Sequence, residues 1–283
     1  MTPRGSDKSA RLAMGDRPAG TIQRVTRLHV HRFGPPGPVR LLALHGLTGH
    51  GQRWETLASG HLPEIAVAAP DLIGHGRSSW AAPWTIEANV AALAELLEHE
   101  ADDPVVVVAH SFGCAVAMHL AAAHPGRISG LVLLDPAIGL DGGWMREIAD
   151  AMLASPDYSN AAEARAAKTN GSWAEVDPAV VDAELDEHLV ELPGGRWTWR
   201  LSLPAMMAYW SELAREIVLP PKRIGTTLVR AAWTSPTYVT DRLIDALHEQ
   251  LGADLQFLTF DCDHMVAEIK PAEVAALIRE RLG

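Results

Sequence analysis

The stretch Val105-Val106-Val107-Val108-Ala109-His110-Ser111-Phe112-Gly113 decides the fold. Four valines and an alanine form a short apolar run without polar alternation, the pattern of a parallel strand buried on both faces. Phe112–Ala123 continues as an alanine-rich helical stretch, ended by His124-Pro125-Gly126. A serine therefore stands on the turn between a buried strand and a helix. Such a turn strains the serine backbone, and small residues must flank it. Ala109 and Gly113 stand two places before and two places after Ser111.

Short apolar runs, most of them also without polar alternation, recur at 39–44, 65–69, 131–134, 227–231 and 255–259. Helical patterns lie between them. Residues 86–98 place Val90, Leu93, Ala94 and Leu97 on one face, with Thr85 as N-cap. Pro271 opens a last helix with Val274, Leu277, Ile278 and Leu282 inward. Strands alternating with helices predict an α/β fold with a mostly parallel sheet. Residues 21–33 read as a pair of strands at its antiparallel edge.

The alternation stops between 136 and 222. This stretch holds five of the nine tryptophans and no strand-like run. Residues 141–191 carry twelve Asp and Glu against three Lys and Arg. A structureless loop of that length is foreign to a folded domain, so the segment reads as a helical cap. The expected organisation is a flexible tail at 1–20, a core at 21–135 and 223–283, and a cap or lid at 136–222.

The 283 residues carry 24 Lys and Arg against 35 Asp and Glu, a net charge of −11. That balance argues against nucleic-acid binding, which needs a basic surface. Two cysteines, Cys114 and Cys262, fit a reducing compartment and hence the cytoplasm. Each stands near a candidate site residue, so the two can approach, but reduced thiols are the expectation. The N-terminus lacks the apolar core of a secretory signal, and no run is long enough to span a bilayer. No H-E-x-x-H motif or Cys/His cluster calls for a metal, and no glycine-rich phosphate loop calls for a nucleotide. His29 and His31 share a strand face, but two ligands without a third make no metal site.

Three further motifs surround the serine. Leu44-His45-Gly46-Leu47-Thr48-Gly49-His50-Gly51 follows the strand at 39–44. Asp71-Leu72-Ile73-Gly74-His75-Gly76-Arg77-Ser78 follows the next strand, and Asp261-Cys262-Asp263-His264-Met265-Val266 follows the last. With the serine turn, these resemble the α/β-hydrolase superfamily. The resemblance implies an eight-stranded, mostly parallel sheet flanked by helices. It implies Ser111 as nucleophile, His264 as general base, and the backbone amides of Leu47 and Phe112 as an oxyanion hole. The Asp71–Ser78 turn is structural in that family, which removes Asp71 and His75 from the catalytic candidates.

Most of the family takes its triad acid from the turn after the seventh strand, but no Asp or Glu occurs from Ile217 to Thr240. Asp135, at the carboxyl end of the strand after the serine helix, is the candidate that remains. Some haloalkane dehalogenases and some actinobacterial esterases place the acid there. Trp197-x-Trp199-Arg200 and Thr227-Leu228-Val229-Arg230 also look like the actinobacterial esterases. Asp241 is the rival, late in its segment. Asp263 adjoins His264, poor geometry for bonding its ring Nδ1.

The resemblance thus implies a cofactor-free serine carboxylesterase acting on a small, neutral, apolar ester. A Ser-Asp-His triad of Ser111, Asp135 and His264 would form an acyl-enzyme. His110, Trp199, Met206, Tyr209 and Trp233 are the expected pocket residues. Ser111 excludes the aspartate-nucleophile chemistry of epoxide hydrolases and dehalogenases. Thioesterase, lactonase and carbon–carbon hydrolase activities use the same machinery and stay open, as does a hydrolase-derived small-molecule receptor.

Overall fold

The computed structural model describes residues 27–283. The chain runs β1 (Val30–Phe33), β2 (Leu41–Leu44), α1 (Glu55–His61), β3 (Val67–Pro70), α2 (Ile86–Glu100), β4 (Val105–His110), α3 (Phe112–Ala123) and β5 (Ile128–Leu134). Then come α4 (Gly142–Ala154), α5 (Ala161–Thr169), α6 (Pro178–His188), β6 (Leu189–Glu191), β7 (Trp197–Trp199) and α7 (Leu203–Glu212). The last elements are β8 (Gly225–Ala231), α8 (Asp241–Leu251), β9 (Leu255–Phe260), α9 (Val266–Ile269) and α10 (Pro271–Leu282).

Seven strands form one sheet in the order β1-β3-β2-β4-β5-β8-β9. Only β1 is antiparallel, pairing Val30 with Pro70 and Phe33 with Val67. The expected count was eight. Part of the predicted edge pair, residues 21–26, lies outside the described residues, as does the tail expected at 1–20. β2, β3 and β4, apolar except for His110, are buried at every position, because helices cover both faces of a parallel sheet. On one face α2, α3 and α8 bury Leu93, Leu97, Met118, Leu120 and Leu247 against the strands. On the other, α1 and α10 bury Leu57, Val274 and Ile278. Cys114 packs on the first face and Cys262 on the second; both are free thiols, so the sheet lies between them.

Strand order reverses between β2 and β4, because β2 hands the chain leftward to β3 and β4 resumes on its right. Loops leaving the two strands diverge there and open a crevice at their carboxyl ends. Leu44 pairs with Ala109, and His110 with Leu134. The loop after β2, the turn after β4 and the residue after β5 therefore start side by side.

The segment between β5 and β8 holds α4 to α7, and within it, where no strand-like run was expected, β6 and β7 form a small antiparallel hairpin, pairing Leu189 with Trp199 and Glu191 with Trp197. Pro193-Gly194-Gly195 turns it, with both glycines at positive φ. Three-residue strands are too short for an alternation to be read. Side-chain caps start each insertion helix: Asp141 accepts from Trp144 N, Asn160 from Glu163 N, Asp177 from Ala179 N and Ser202 from Ala205 N. The insertion lies over the carboxyl ends of the strands. Gly76 N donates to Arg200 O and Ser202 N to Gly74 O, which ties the hairpin exit to the loop after β3. Asp263 N donates to Glu175 Oε2 at 3.1 Å, which ties it to the loop after β9.

Candidate active site

Ser111 occupies the turn between β4 and α3 with φ 54° and ψ −119°. This is sparsely populated territory for a residue with a Cβ, and such geometry persists only where the surroundings hold it. The next turn of α3 is held close to β2: a Cβ on Gly113 would stand 2.6 Å from Leu44 O and 2.7 Å from His45 O. Both obstacles are backbone, so neither can swing aside. Gly113→Ala is therefore expected to cost about 1–3 kcal/mol, the usual penalty of overpacking, read as a lower melting midpoint by calorimetry. A midpoint unchanged from the parent would show that α3 can retreat from β2 freely.

The loop after β2 runs beside this turn. His45 is fully buried, and burial holds its imidazole neutral, with a pKa well below the usual histidine range. Its Nδ1–H donates to Gly46 O at 2.7 Å, and its Nε2 accepts from Leu72 N at 2.9 Å. The side chain thus pins the loop to the segment after β3. The Leu47 and Phe112 amides donate to no protein acceptor among the described residues.

Asp71 organises the neighbouring turn. Its Oδ1 accepts from Gly51 N and its Oδ2 from Arg77 N, each at 2.7 Å. Burial alone would raise its pKa, but the His31 ring, with Nε2 3.3 Å from Oδ1, and those backbone amides outweigh it and hold the carboxyl well below the usual range. A Cβ on Gly76, at φ 51°, would meet Asp71 Oδ2 at 2.1 Å, so the turn demands glycine. The structure sets Asp71 beside His29 and His31, with ligand atoms within 4.8 Å of one another. Asp71 is already engaged by the two amides.

Asp135 follows β5 directly, fully buried, at φ 43°. Its backbone N–H donates to Val229 O at 2.8 Å. Its Oδ2 lies 2.6 Å from His264 Nδ1. Its Oδ1 accepts from Ala231 N at 3.0 Å, and Thr234 Oγ1 lies 3.4 Å from Oδ2. The turn after β8, which carries no acid, therefore furnishes donors that hold an acid from the neighbouring strand. Asp263 bonds elsewhere: its Oδ1 accepts from the His264 backbone N–H at 2.6 Å and lies 3.2 Å from Thr234 Oγ1. Asp241 begins α8, after the Thr240 cap, and is exposed.

The His264 ring is flanked on two sides. The His110 ring lies 4.5 Å away and the Tyr238 ring 4.6 Å away, centroid to centroid. Trp144, from the first turn of α4, stacks on Tyr238 at 5.3 Å. His110 Nε2 donates to His264 O at 2.8 Å. Burial, and then the neighbouring His264, keep His110 uncharged, which spares His264 a second cation beside it. Tyr238 and Trp144 escaped the sequence reading, since nothing local ties either to His264.

The other expected pocket residues separate. Met206 and Tyr209 are fully buried in the core. Tyr209 packs on Phe112, donates to Ile73 O at 3.0 Å and accepts from Asn89 Nδ2 at 2.8 Å. Trp233 is 56% exposed. Trp199 does line a cavity of about 450 Å³ within the insertion, with Ile148, Met152, Leu203 and Trp210; Thr48 of the loop after β2 forms part of its wall. Lys168 is the one charged group on that wall. A hollow of about 780 Å³ near Arg32, His99 and Glu100 is lined by none of the candidate site residues.

Comparisons with known proteins bear on the fold and the family. The chain is 66% identical over 256 residues to "Lipase LipV" of Mycobacterium tuberculosis, covering 90% of this chain and 98% of that protein. Among solved structures, an E-2-(acetamidomethylene)succinate hydrolase superimposes with a TM-score of 0.76 at 20% identity, over 90% of this chain and 94% of that one. A marine microorganism esterase gives 0.73 at 22% identity, over 90% and 99%. At those identities the two structures speak for the fold alone. The profile of the alpha/beta hydrolase family matches residues 41–277. That span runs from β2 into α10 and includes every loop just described, so the chain belongs to the alpha/beta hydrolase family.

Proposed function

We propose that this protein is a serine carboxylic-ester hydrolase, with Ser111 as nucleophile, His264 as general base and Asp135 as the acid that orients it. The observation that carries the reading is the 2.6 Å contact between His264 Nδ1 and Asp135 Oδ2, beside a serine at φ 54° on a strand–helix turn. A carboxylate only accepts, so Nδ1 bears the proton and Nε2 keeps the lone pair that a base needs.

Ser111 Oγ attacks the ester carbonyl carbon as His264 Nε2 takes its proton. The carbonyl π electrons move to oxygen, and the Leu47 and Phe112 amides receive that oxyanion. Asp135 stabilises the imidazolium. Collapse of the tetrahedral species breaks the C–O bond, and His264 returns the proton to the departing alcohol. Water then attacks the acyl-enzyme, His264 takes its proton, and a second collapse frees the carboxylic acid and restores Ser111.

Residues 136–222 act in this reading as a cap over the strand ends, and its cavity takes the apolar part of the substrate. The similarity to a protein named lipase supports an ester with an aliphatic portion. Apolar walls favour a neutral one, and the charge of Lys168 is met by Glu184 Oε1 at 2.6 Å. The free thiols fit a reducing compartment such as the cytoplasm. Among the described residues no helix is long and apolar enough to cross a membrane. Steady-state release of p-nitrophenol from p-nitrophenyl butyrate, over many turnovers, is the expected result. A single equivalent released without turnover, or none, would refute the assignment. Matched esters with and without a distal carboxylate should separate in favour of the neutral one at low salt; the reverse order would rule out the apolar-pocket assignment.

A further inference from the structure

The loop after β2 is gripped by a buried ionic cluster that belongs mostly to the insertion. Glu184, on α6, is almost fully buried and receives four donors. Arg53 reaches it twice, Nη2 to Oε1 at 2.6 Å and Nε to Oε2 at 3.2 Å. His50 Nε2 reaches Oε2 at 2.6 Å, and Lys168 Nζ from α5 reaches Oε1 at 2.6 Å. The carboxylate can only accept, so each of these groups donates. Burial works against the charged carboxylate, but Arg53, His50 and Lys168 together keep it ionised. Trp173 closes the cluster, with the Arg53 guanidinium 4.9 Å and the Lys168 ammonium 4.3 Å from its ring.

Arg53 does one thing more. The same Nη2 donates to Thr48 O at 3.0 Å. Thr48 sits at φ 60°, left-handed geometry that a β-branched residue avoids. It directly follows Leu47, whose amide the functional reading places in the oxyanion hole. Rotation about the Leu47–Thr48 segment moves that N–H, and an oxyanion donor works only when aimed in advance. His50, the second residue of this loop in the cluster, fixes its far end.

We propose that Glu184 and Arg53 are positioning residues for ester hydrolysis: the α6 carboxylate locks the Arg53 fork, and that fork holds the Thr48 carbonyl so that the Leu47 amide points at the developing oxyanion. Docking of the insertion then assembles the oxyanion hole, and substrate specificity and catalytic competence share one buried contact. The inference rests on the hydrolase reading, and the experiment separates the two.

Glu184→Gln keeps the shape and removes the charge. Arg53→Lys keeps the charge and removes the fork. In each, kcat for p-nitrophenyl butyrate is expected to fall at least tenfold, toward the about 10²–10³-fold that loss of an oxyanion donor costs, with KM within about threefold. Affinity for butylboronic acid, which adds to the serine as a tetrahedral anion, is expected to fall by the same factor as kcat/KM. Amide exchange across residues 46–51 is expected to quicken. Asp182→Asn, which removes an exposed α6 carboxylate paired with Arg165, is the control and leaves these quantities unchanged. Loss of KM alone, with kcat and boronate affinity intact, would overturn the proposal and make the cluster a pocket wall. Unchanged exchange at 46–51 in both folded variants would overturn it even if the parent hydrolysed no ester, an outcome that separately removes the functional reading.

Discussion

Ser111→Ala is expected to lower kcat for p-nitrophenyl butyrate by on the order of 10⁶, to the background of an enzyme without its nucleophile. The size follows from the role. Without Oγ no acyl-enzyme can form, and what survives is water attack helped by the oxyanion donors. The variant should stay folded. The Ser111 side chain makes no hydrogen bond to protein among the described residues, so its removal strands no partner. The backbone at φ 54° is held instead by Ser111 N donating to Leu134 O and by Ser111 O accepting from Cys114 N, each at 3.0 Å. Melting midpoints of parent and variant should therefore agree closely. A fluorophosphonate should add to the parent at one site, seen as a single mass increment, and not to the variant. Retention of even one-hundredth of the parent kcat by the purified variant would mean that Ser111 is not the nucleophile.

How much of this was legible in the residues depends on how local each feature is. The helix Phe112–Ala123 was read to its ends, because it is alanine-rich and His124-Pro125 stops it. The β4 run was read to within a residue, because a parallel strand buried on both faces announces itself by unbroken apolar content; β9 was read as closely although Gln256 and Thr259 interrupt it. The proximity of Asp135 and His264 is non-local, yet it was anticipated, because strand order places their loops at one end of the sheet and no other acid stands between 217 and 240. What anchors Asp135 was invisible. One donor is the backbone N–H of Ala231, which has no residue-type signal, and the other is one hydroxyl among several in its loop. Met206 and Tyr209 show the limit of helical periodicity: their spacing puts them on an inward face, but inward can mean core or cavity. The phenol of Tyr209 finds Ile73 O and Asn89 inside the core. The cluster around Glu184 joins it to Arg53 and His50, more than a hundred positions away, and no local pattern announces such a contact.

Asp135→Asn should lower kcat by about 10⁴, as in other triads that lose the acid but keep its shape, and the hydrogen bonds show why an isosteric change does so much. Asp135 Oδ1 accepts from Ala231 N. That amide can only donate, so in the variant the carboxamide oxygen must take the Oδ1 place. The NH₂ group then falls where Oδ2 was, 2.6 Å from His264 Nδ1. Two donors cannot face each other, so the ring must carry its proton on Nε2 and offer its lone pair at Nδ1. That tautomer cannot accept the Ser111 proton, and no carboxylate remains to stabilise the imidazolium. Binding is untouched, so KM should change little while kcat collapses. Asp241→Asn supplies the comparison. Asp241 is exposed in the first turn of α8, and its loss should cost no more than the about 0.3–1 kcal/mol of a helix-terminus charge, with kcat unaltered. Nitrogen-15 shifts of His264 would show the tautomer change directly. A variant at position 135 that keeps more than one-tenth of the parent kcat, or an equal loss from Asp241→Asn, would take the acid role away from Asp135.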